Sequence, residues 1–192
     1  MPPEILERRT AYAGYMTVEC LRVRLSDGVE VWREVERHGD AVVVLAYDER
    51  RHCALLVSLF RAPVLDAAGE ASSIEACAGM IGDEDAETAV RREALEEMGV
   101  VLGSLDYVAR VWSSPGVSTE RQSLFLAAYN PADRTEAGGG APGEHEGITV
   151  IERALAELAA DADLGRITDG KLLTLILALR LRRPELFAAP IA

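Results

Sequence analysis

Basic side chains are in short supply in this chain: 20 Lys and Arg stand against 32 Asp and Glu, a formal net charge of −12 over 192 residues. Wrapping a nucleic-acid backbone takes a basic stripe, so this balance argues against a DNA or RNA partner. A small phosphate-bearing ligand stays compatible, because local arginines and bound metal can reverse the sign inside one cleft. No uninterrupted apolar run approaches membrane-spanning length, and the opening MPPEILERRT lacks the apolar core of a signal peptide. No membrane partner and a cytoplasmic location are the resulting expectations. Cysteine is scarce too: Cys20, Cys53 and Cys77 are widely spaced and odd in number, so they read as reduced, buried thiols and not as a disulfide framework or zinc site. No internal repeat is visible. What the chain does have is apolar mass, 49% of its residues, enough for the core of one large domain or a domain with a small extension.

The most informative stretch is Ala78 to Val100, AGMIGDEDAETAVRREALEEMGV. Asp85 to Met98 contains no Pro or Gly and is rich in Ala, Glu, Leu and Arg, which predicts a helix ending at Gly99. Glu93, Glu96 and Glu97 fall on it at i, i+3 and i+4, within an arc of roughly 100°, and Ala86, Ala89 and Val90 lie on or beside that arc. Like charges at these spacings cost a few tenths of a kcal/mol each in water and far more where water is excluded. Arg92 is placed to offset Glu96. A carboxylate trio beside small apolar residues calls for a hard, oxygen-loving cation such as Mg²⁺. Taken alone, EALEE would be an ordinary solvated helix face.

Elsewhere, MTVECLRVRL and VEVWREV alternate as strands do and are joined by Asp27-Gly28, which predicts a hairpin within Tyr15 to Glu36. AVVVLAY (41–47) and CALLVSLF (53–60), separated by the polar turn Asp48 to Arg51, read as strands of a central sheet. Ser73 to Ala78 leads into the glycine turn. Further strands are expected at Ser104 to Ser113, Ser123 to Ala128 and Ile148 to Ile151, and helices at Glu152 to Ala160 and Asp169 to Arg182. The loop Ser114 to Arg121 opens on a Pro-Gly turn and delivers Glu120 just before a strand. Ala137 to Gly143 holds four glycines, reads as a mobile loop, and precedes Glu144, His145 and Glu146. Pattern alone supports α/β or α+β.

The run Arg92-Glu93-Ala94-Leu95-Glu96-Glu97-Met98-Gly99-Val100 resembles the second half of the Nudix box at every fixed position. The first half departs. Counting back from Arg92 puts Glu84 at the family's glutamate position but Ala78, not Gly79, at its glycine, so the turn is one residue short. Bacterial GDP-mannose hydrolases of the family carry a similar short turn after Cys-Ala-Gly. The resemblance extends to Arg33 to Val35, Leu59-Phe60-Arg61, the Ser-Pro-Gly loop, the AlaGlyGlyGly loop and the late Asp-Gly-Lys, and is similar to the nucleoside diphosphate sugar pyrophosphatase branch, which includes ADP-ribose and GDP-mannose hydrolases.

That resemblance implies a Nudix α/β/α sandwich with a mixed central sheet (residues 41–192), preceded by a small N-terminal antiparallel sheet (residues 1–40) that makes a homodimer and reaches the partner's site. It implies metal held by Glu93, Glu96, Glu97 and the Ala78 carbonyl, with Glu146, or Glu144 in its place, as a late ligand or general base and Glu97 as a catalytic group. The metal would be Mg²⁺, with Mn²⁺ as a substitute. Arg33 and Arg61 would grip the diphosphate, with Trp32, Glu120, Tyr15 and Lys171 on the rest of the substrate. The implied reaction is hydrolysis of the pyrophosphate bond of an ADP-ribose or GDP-mannose type nucleotide sugar. Two alternatives belong to other classes: an ADP-ribose-sensing Nudix domain without catalysis, and a pyrophosphohydrolase that sanitises nucleoside triphosphates.

Overall fold

The computed structural model describes residues 1–141 and 147–188. It begins with β1 (Glu4–Ala13), β2 (Thr17–Arg24) and β3 (Glu30–Arg37), an antiparallel sheet in that order. The expected β2–β3 hairpin is present. Gly28 takes φ +88°, and Asp27 accepts from the Val29 N–H at 3.0 Å, as a side chain that stabilises its own turn should. Strand β1 has no counterpart in the sequence reading, because EILERRTAYA shows little alternation. Its register is set across the ladder, where Arg8 meets Glu19, Arg22 meets Glu7 and Arg24 meets Glu4. Leu21 is the one buried residue among these three strands, so within a single chain this sheet has almost no core.

The rest of the chain builds a seven-stranded sheet. Its elements are β4 (Ala41–Asp48), β5 (Cys53–Leu59), α1 (Ala62–Ala68), β6 (Ser73–Glu75), β7 (Cys77–Met80), α2 (Ala86–Met98), β8 (Asp106–Trp112), β9 (Arg121–Ala128), β10 (Thr149–Ala154), α3 (Leu155–Asp163) and α4 (Gly170–Arg182). The order is β10-β5-β4-β9-β8, with β6 on β5 and β7 on β4; β4 and β9 run parallel and the other pairs antiparallel. All eight residues of β4 are buried, which is why its sequence is a continuous apolar run and not an alternation. Alternate side chains serve opposite layers. Val42, Val44 and Ala46 pack with Ala89, Val90, Ala94 and Met98 of α2, whereas Val43, Leu45 and Tyr47 pack with Leu155 and Leu158 of α3 and Leu172, Leu175, Ile176 and Leu179 of α4. The result is the expected α/β/α sandwich with a mixed sheet.

Helix α2 follows its local signals closely. Asp85 caps it, accepting from the Thr88 N–H at 2.9 Å, and Gly99 ends it at φ +71° with its N–H on the Ala94 and Leu95 carbonyls. Two other segments differ from the sequence reading. Glu152 to Ala154, expected to open a helix, instead pair with Leu55, Ala54 and Cys53 at the end of β10, and the helix starts at Leu155. Cross-strand pairing overrides the helical pattern there. Helix α1 was not anticipated; it has seven residues, Pro63 in its first turn and nothing buried.

Candidate active site

A cleft of about 690 Å³ opens beside β7 and α2. Its acidic wall is built by close approach of helix to strand. Gly79 pairs with Val42 on β4, and a Cβ at Gly79 would sit 1.9–2.4 Å from the Glu93 carboxylate, so glycine is what lets Glu93 lie against the strand. Next to it, the Ala78 N–H donates to Glu97 Oε2 at 3.2 Å. Glu97 is only 4% exposed and shares the buried side of α2 with Ala94 and Met98. Ala78, Glu93 and Glu97 all line the cleft. Glu96 does not; it accepts from Arg92 Nη1 at 2.9 Å.

Arg92 has a wider role than the i, i+4 partner read from sequence. It also donates to Glu93 at 2.8 Å, to Glu84 at 3.0 Å and to the Met80 carbonyl at 3.2 Å. Burial pulls its pKa down, but the three carboxylates outweigh that and raise it. Glu84 is thereby tied to the helix in spite of the short turn. Behind the wall, burial pushes the Cys77 thiol up, and the negative charge of Glu97 pushes it further, so it stays a neutral thiol. Among the described residues no three His, Cys, Asp or Glu side chains converge into a cage for an ion. Glu93 and Glu97 nonetheless offer carboxylate oxygens at this wall, ligands that suit a hard divalent cation.

Cations and buried anions meet on another wall. Arg61, at the N-terminus of α1, donates from Nε and Nη2 to the two oxygens of Glu75 at 3.0 and 3.1 Å. Lys171, in the first turn of α4, donates to Glu75 at 3.1 Å and to Asp169 at 2.8 Å. Burial alone would raise the Glu75 carboxyl; the Arg61 hydrogen bonds and the Lys171 charge hold it at about 2. Desolvation pulls Lys171 down, and Asp169 and Glu75 outweigh it, so its pKa is raised. Arg61 and Lys171 were read from the sequence as substrate contacts and both line the cleft. Glu75 was missed, because its partner Lys171 lies 96 residues away.

Glu120 and Tyr15 also reach the cleft, Tyr15 from the β1–β2 turn at 95% exposure. The Ser114 loop is fastened to the N-terminal sheet: Glu36 N–H donates to the Val117 carbonyl at 2.7 Å, and Thr119 N–H donates to the Glu36 carbonyl at 3.0 Å. Trp32 and Arg33 do not line the cleft of their own chain. They border a separate hollow on the N-terminal sheet, where Arg9 lies 5.0 Å above the Trp32 ring and Arg33 donates to the Trp32 carbonyl. Glu146, with Glu144 and His145, lies outside the described residues. The glycines before them are docked onto α2: Gly139 and Gly140 donate to the Glu97 and Glu96 carbonyls at 2.9 and 3.0 Å. Their φ values of +116° and +91°, and Gly138's Cβ position 2.3 Å from the Glu97 carbonyl, show glycine used here for backbone shape and close approach.

Fold and cleft together define an α/β/α sandwich whose acidic helix and cationic wall line one cleft. The NUDIX domain model matches residues 37–171. GDP-mannose pyrophosphatase of Pectobacterium atrosepticum is 37% identical over 145 residues, covering 75% of this chain and 74% of the relative. The protein of that name from Cronobacter sakazakii is 36% identical over 151 residues, 78% of each chain. A solved structure described as an ADP compounds hydrolase superposes with a TM-score of 0.78 over 96% of both chains at 19% identity, a likeness of fold. The chain belongs to the Nudix family, in the branch that holds the GDP-mannose pyrophosphatases.

Proposed function

We propose that this protein hydrolyses the pyrophosphate bond of a nucleoside diphosphate sugar, of the GDP-mannose or ADP-ribose type, to a nucleoside monophosphate and a sugar phosphate. The observation that carries the reading is the single cleft in which Glu93 and Glu97, pinned to β7, share the lining with Arg61 and Lys171. Glu93, Glu97 and the Ala78 carbonyl would hold Mg²⁺, or Mn²⁺ in its place, and Glu96 would join them on release from Arg92. When bound, the metal supplies charge neutralisation at the phosphates and a lowered pKa for water. Arg61 offers a planar guanidinium and Lys171 a point charge to the diphosphate oxygens, and both oppose the negative charge that grows as the bridging P–O bond breaks. Glu120 meets the sugar side. Glu146 is the proposed general base, carried by the chain that follows the docked glycines.

The N-terminal sheet, residues 1–40, is proposed to pair two copies, so that Trp32 and Arg33 serve the partner's cleft while Tyr15 serves its own. The support is the near absence of a core in that sheet and the fact that its hollow shares no lining residue with the cleft. No helix among the described residues is long and apolar enough to cross a membrane, and a cytoplasmic site of action is part of the same proposal.

A panel of GDP-mannose, ADP-ribose, UDP-glucose and dinucleotide polyphosphates, with Mg²⁺ and product identification, tests this. The expected products are a nucleoside monophosphate and a sugar phosphate. Release of inorganic pyrophosphate from nucleoside triphosphates as the dominant activity, or no Mg²⁺-dependent turnover at all, would sink the reading.

A further inference from the structure

Glu75 lines the cleft yet is only 5% exposed, an anion set where an anionic ligand is expected. A carboxylate so placed repels phosphate, and the repulsion is strong where water is excluded. Its hydrogen bonds supply the compensation. One Glu75 oxygen accepts from Arg61 Nε, and the other is shared by Arg61 Nη2 and Lys171 Nζ. Arg61 and Lys171 come from distant parts of the chain, one at the start of α1 and one at the start of α4, and this carboxylate is where the two meet. Asp169 braces the arrangement: Oδ1 accepts from Lys171 Nζ, and Oδ2 accepts from the backbone N–H of Ala76 at 3.1 Å, immediately after Glu75. Burial is graded through the four residues. The Glu75 and Asp169 side chains are nearly inaccessible, Lys171 is partly covered, and Arg61 is the most open. The tetrad has no net charge, but its anions lie deep and its cations lie toward the cleft.

We propose that Glu75 is a positioning residue for the diphosphate grip, fixing the spacing and orientation of Arg61 and Lys171 without touching the reacting atoms. This rests on the reading of the cleft as a diphosphate site. Two effects of opposite sign separate the proposal from a plain charge effect. Removing the Glu75 charge lessens repulsion of phosphate, which by itself tightens anion binding. Loosening Arg61 and Lys171 weakens it. Positioning requires that the second effect win.

The test is calorimetric binding of inorganic pyrophosphate, with Ca²⁺ present, to the parent, Glu75→Gln and Glu75→Asp, each also in an Arg61→Ala background. Steady-state kinetics on the best nucleotide sugar and thermal unfolding accompany it. Glu75→Asp keeps the charge but is one methylene shorter, so it cannot span both cations, and it serves as the probe if the Gln variant fails to fold. For either variant the expected result is pyrophosphate affinity weakened about 10-fold or more and kcat/KM lowered about 30-fold, mostly through KM. In the Arg61→Ala background the same substitution should cost less than about 3-fold, since its main route of action is gone. Unchanged or tighter pyrophosphate binding by a folded variant overturns the proposal, as does an equal loss in both backgrounds. A parent that binds pyrophosphate but cleaves no nucleotide sugar overturns the substrate reading and leaves this one standing. A parent that does not bind pyrophosphate overturns both.

Discussion

At the residue scale, the acidic wall depends on the absence of one methyl group. A Cβ at Gly79 would meet the end of the Glu93 side chain, which can swing away, so Gly79→Ala should cost little stability, under about 1 kcal/mol, while displacing the carboxylate from the cleft. Activity is expected to fall about 10-fold or more with thermal unfolding nearly unchanged. Glu97→Gln keeps shape and can still accept from the Ala78 N–H, so it isolates charge. Turnover at saturating Mg²⁺ should drop by about 100-fold or more, and survival within a few-fold of the parent would remove Glu97 from the metal assignment. Glu93, Glu97, Arg61 and Lys171 were legible in the sequence because a short motif or a neighbouring strand end identifies them. Glu75 was not, because its importance lies in a bond to Lys171 that only the fold supplies, and Asp169 was visible only within the late Asp-Gly-Lys, its bond to the Ala76 N–H waiting on the fold.

At the element scale, what could be read in advance tracks how locally each element is determined. Helix α2 carries its own cap, its own stop and a composition suited to nothing else, and the sequence reading misses its bounds by a single residue. Strand β4 is betrayed by continuous apolarity. Strand β1 and the end of β10 are defined by their partners, Arg24 to Thr17 for one and Cys53 to Ser58 for the other, and no local signal stands in for a ladder. In the glycine loop, flexibility and tight docking call for the same residue, so composition alone does not reveal the bonds of Gly139 and Gly140 to α2. Gly138→Ala puts a Cβ at φ +74° and against the Glu97 carbonyl, which is backbone and cannot rotate aside. A loss of about 1–3 kcal/mol in chemical denaturation is expected, with a larger fall in activity than Gly103→Ala, where a Cβ meets nothing.

For the whole molecule, acid stability should report the cationic wall. The Glu75 carboxyl stands at about 2 in the fold against an ordinary value of 4.5. Its contribution is therefore complete above pH 4.5 and is lost as pH falls toward 2, because the unfolded chain takes up the proton first. That contribution is on the order of 3 kcal/mol, and a folded Glu75→Gln variant should show a visibly flatter decline between those limits in urea titrations followed by pH. Assembly is the second molecular property to measure. Sedimentation of the full chain should give a dimer, and deletion of residues 1–37 should give a monomer; a monomeric full chain would end the proposal that Trp32 and Arg33 act across an interface.

The paired hydrogen bonds between Glu36 and the Ser114 loop give that assembly a chemical meaning. Strand β3 and the loop carrying Glu120 are stitched into one lever, and Tyr15 projects from the β1–β2 turn at that same end of the sheet, where Thr17 pairs with Arg37. If two copies pair through this sheet as proposed, whatever seats on it would also tilt the cleft's rim, and a chain without its companion would keep its acidic helix in order while leaving that rim untuned.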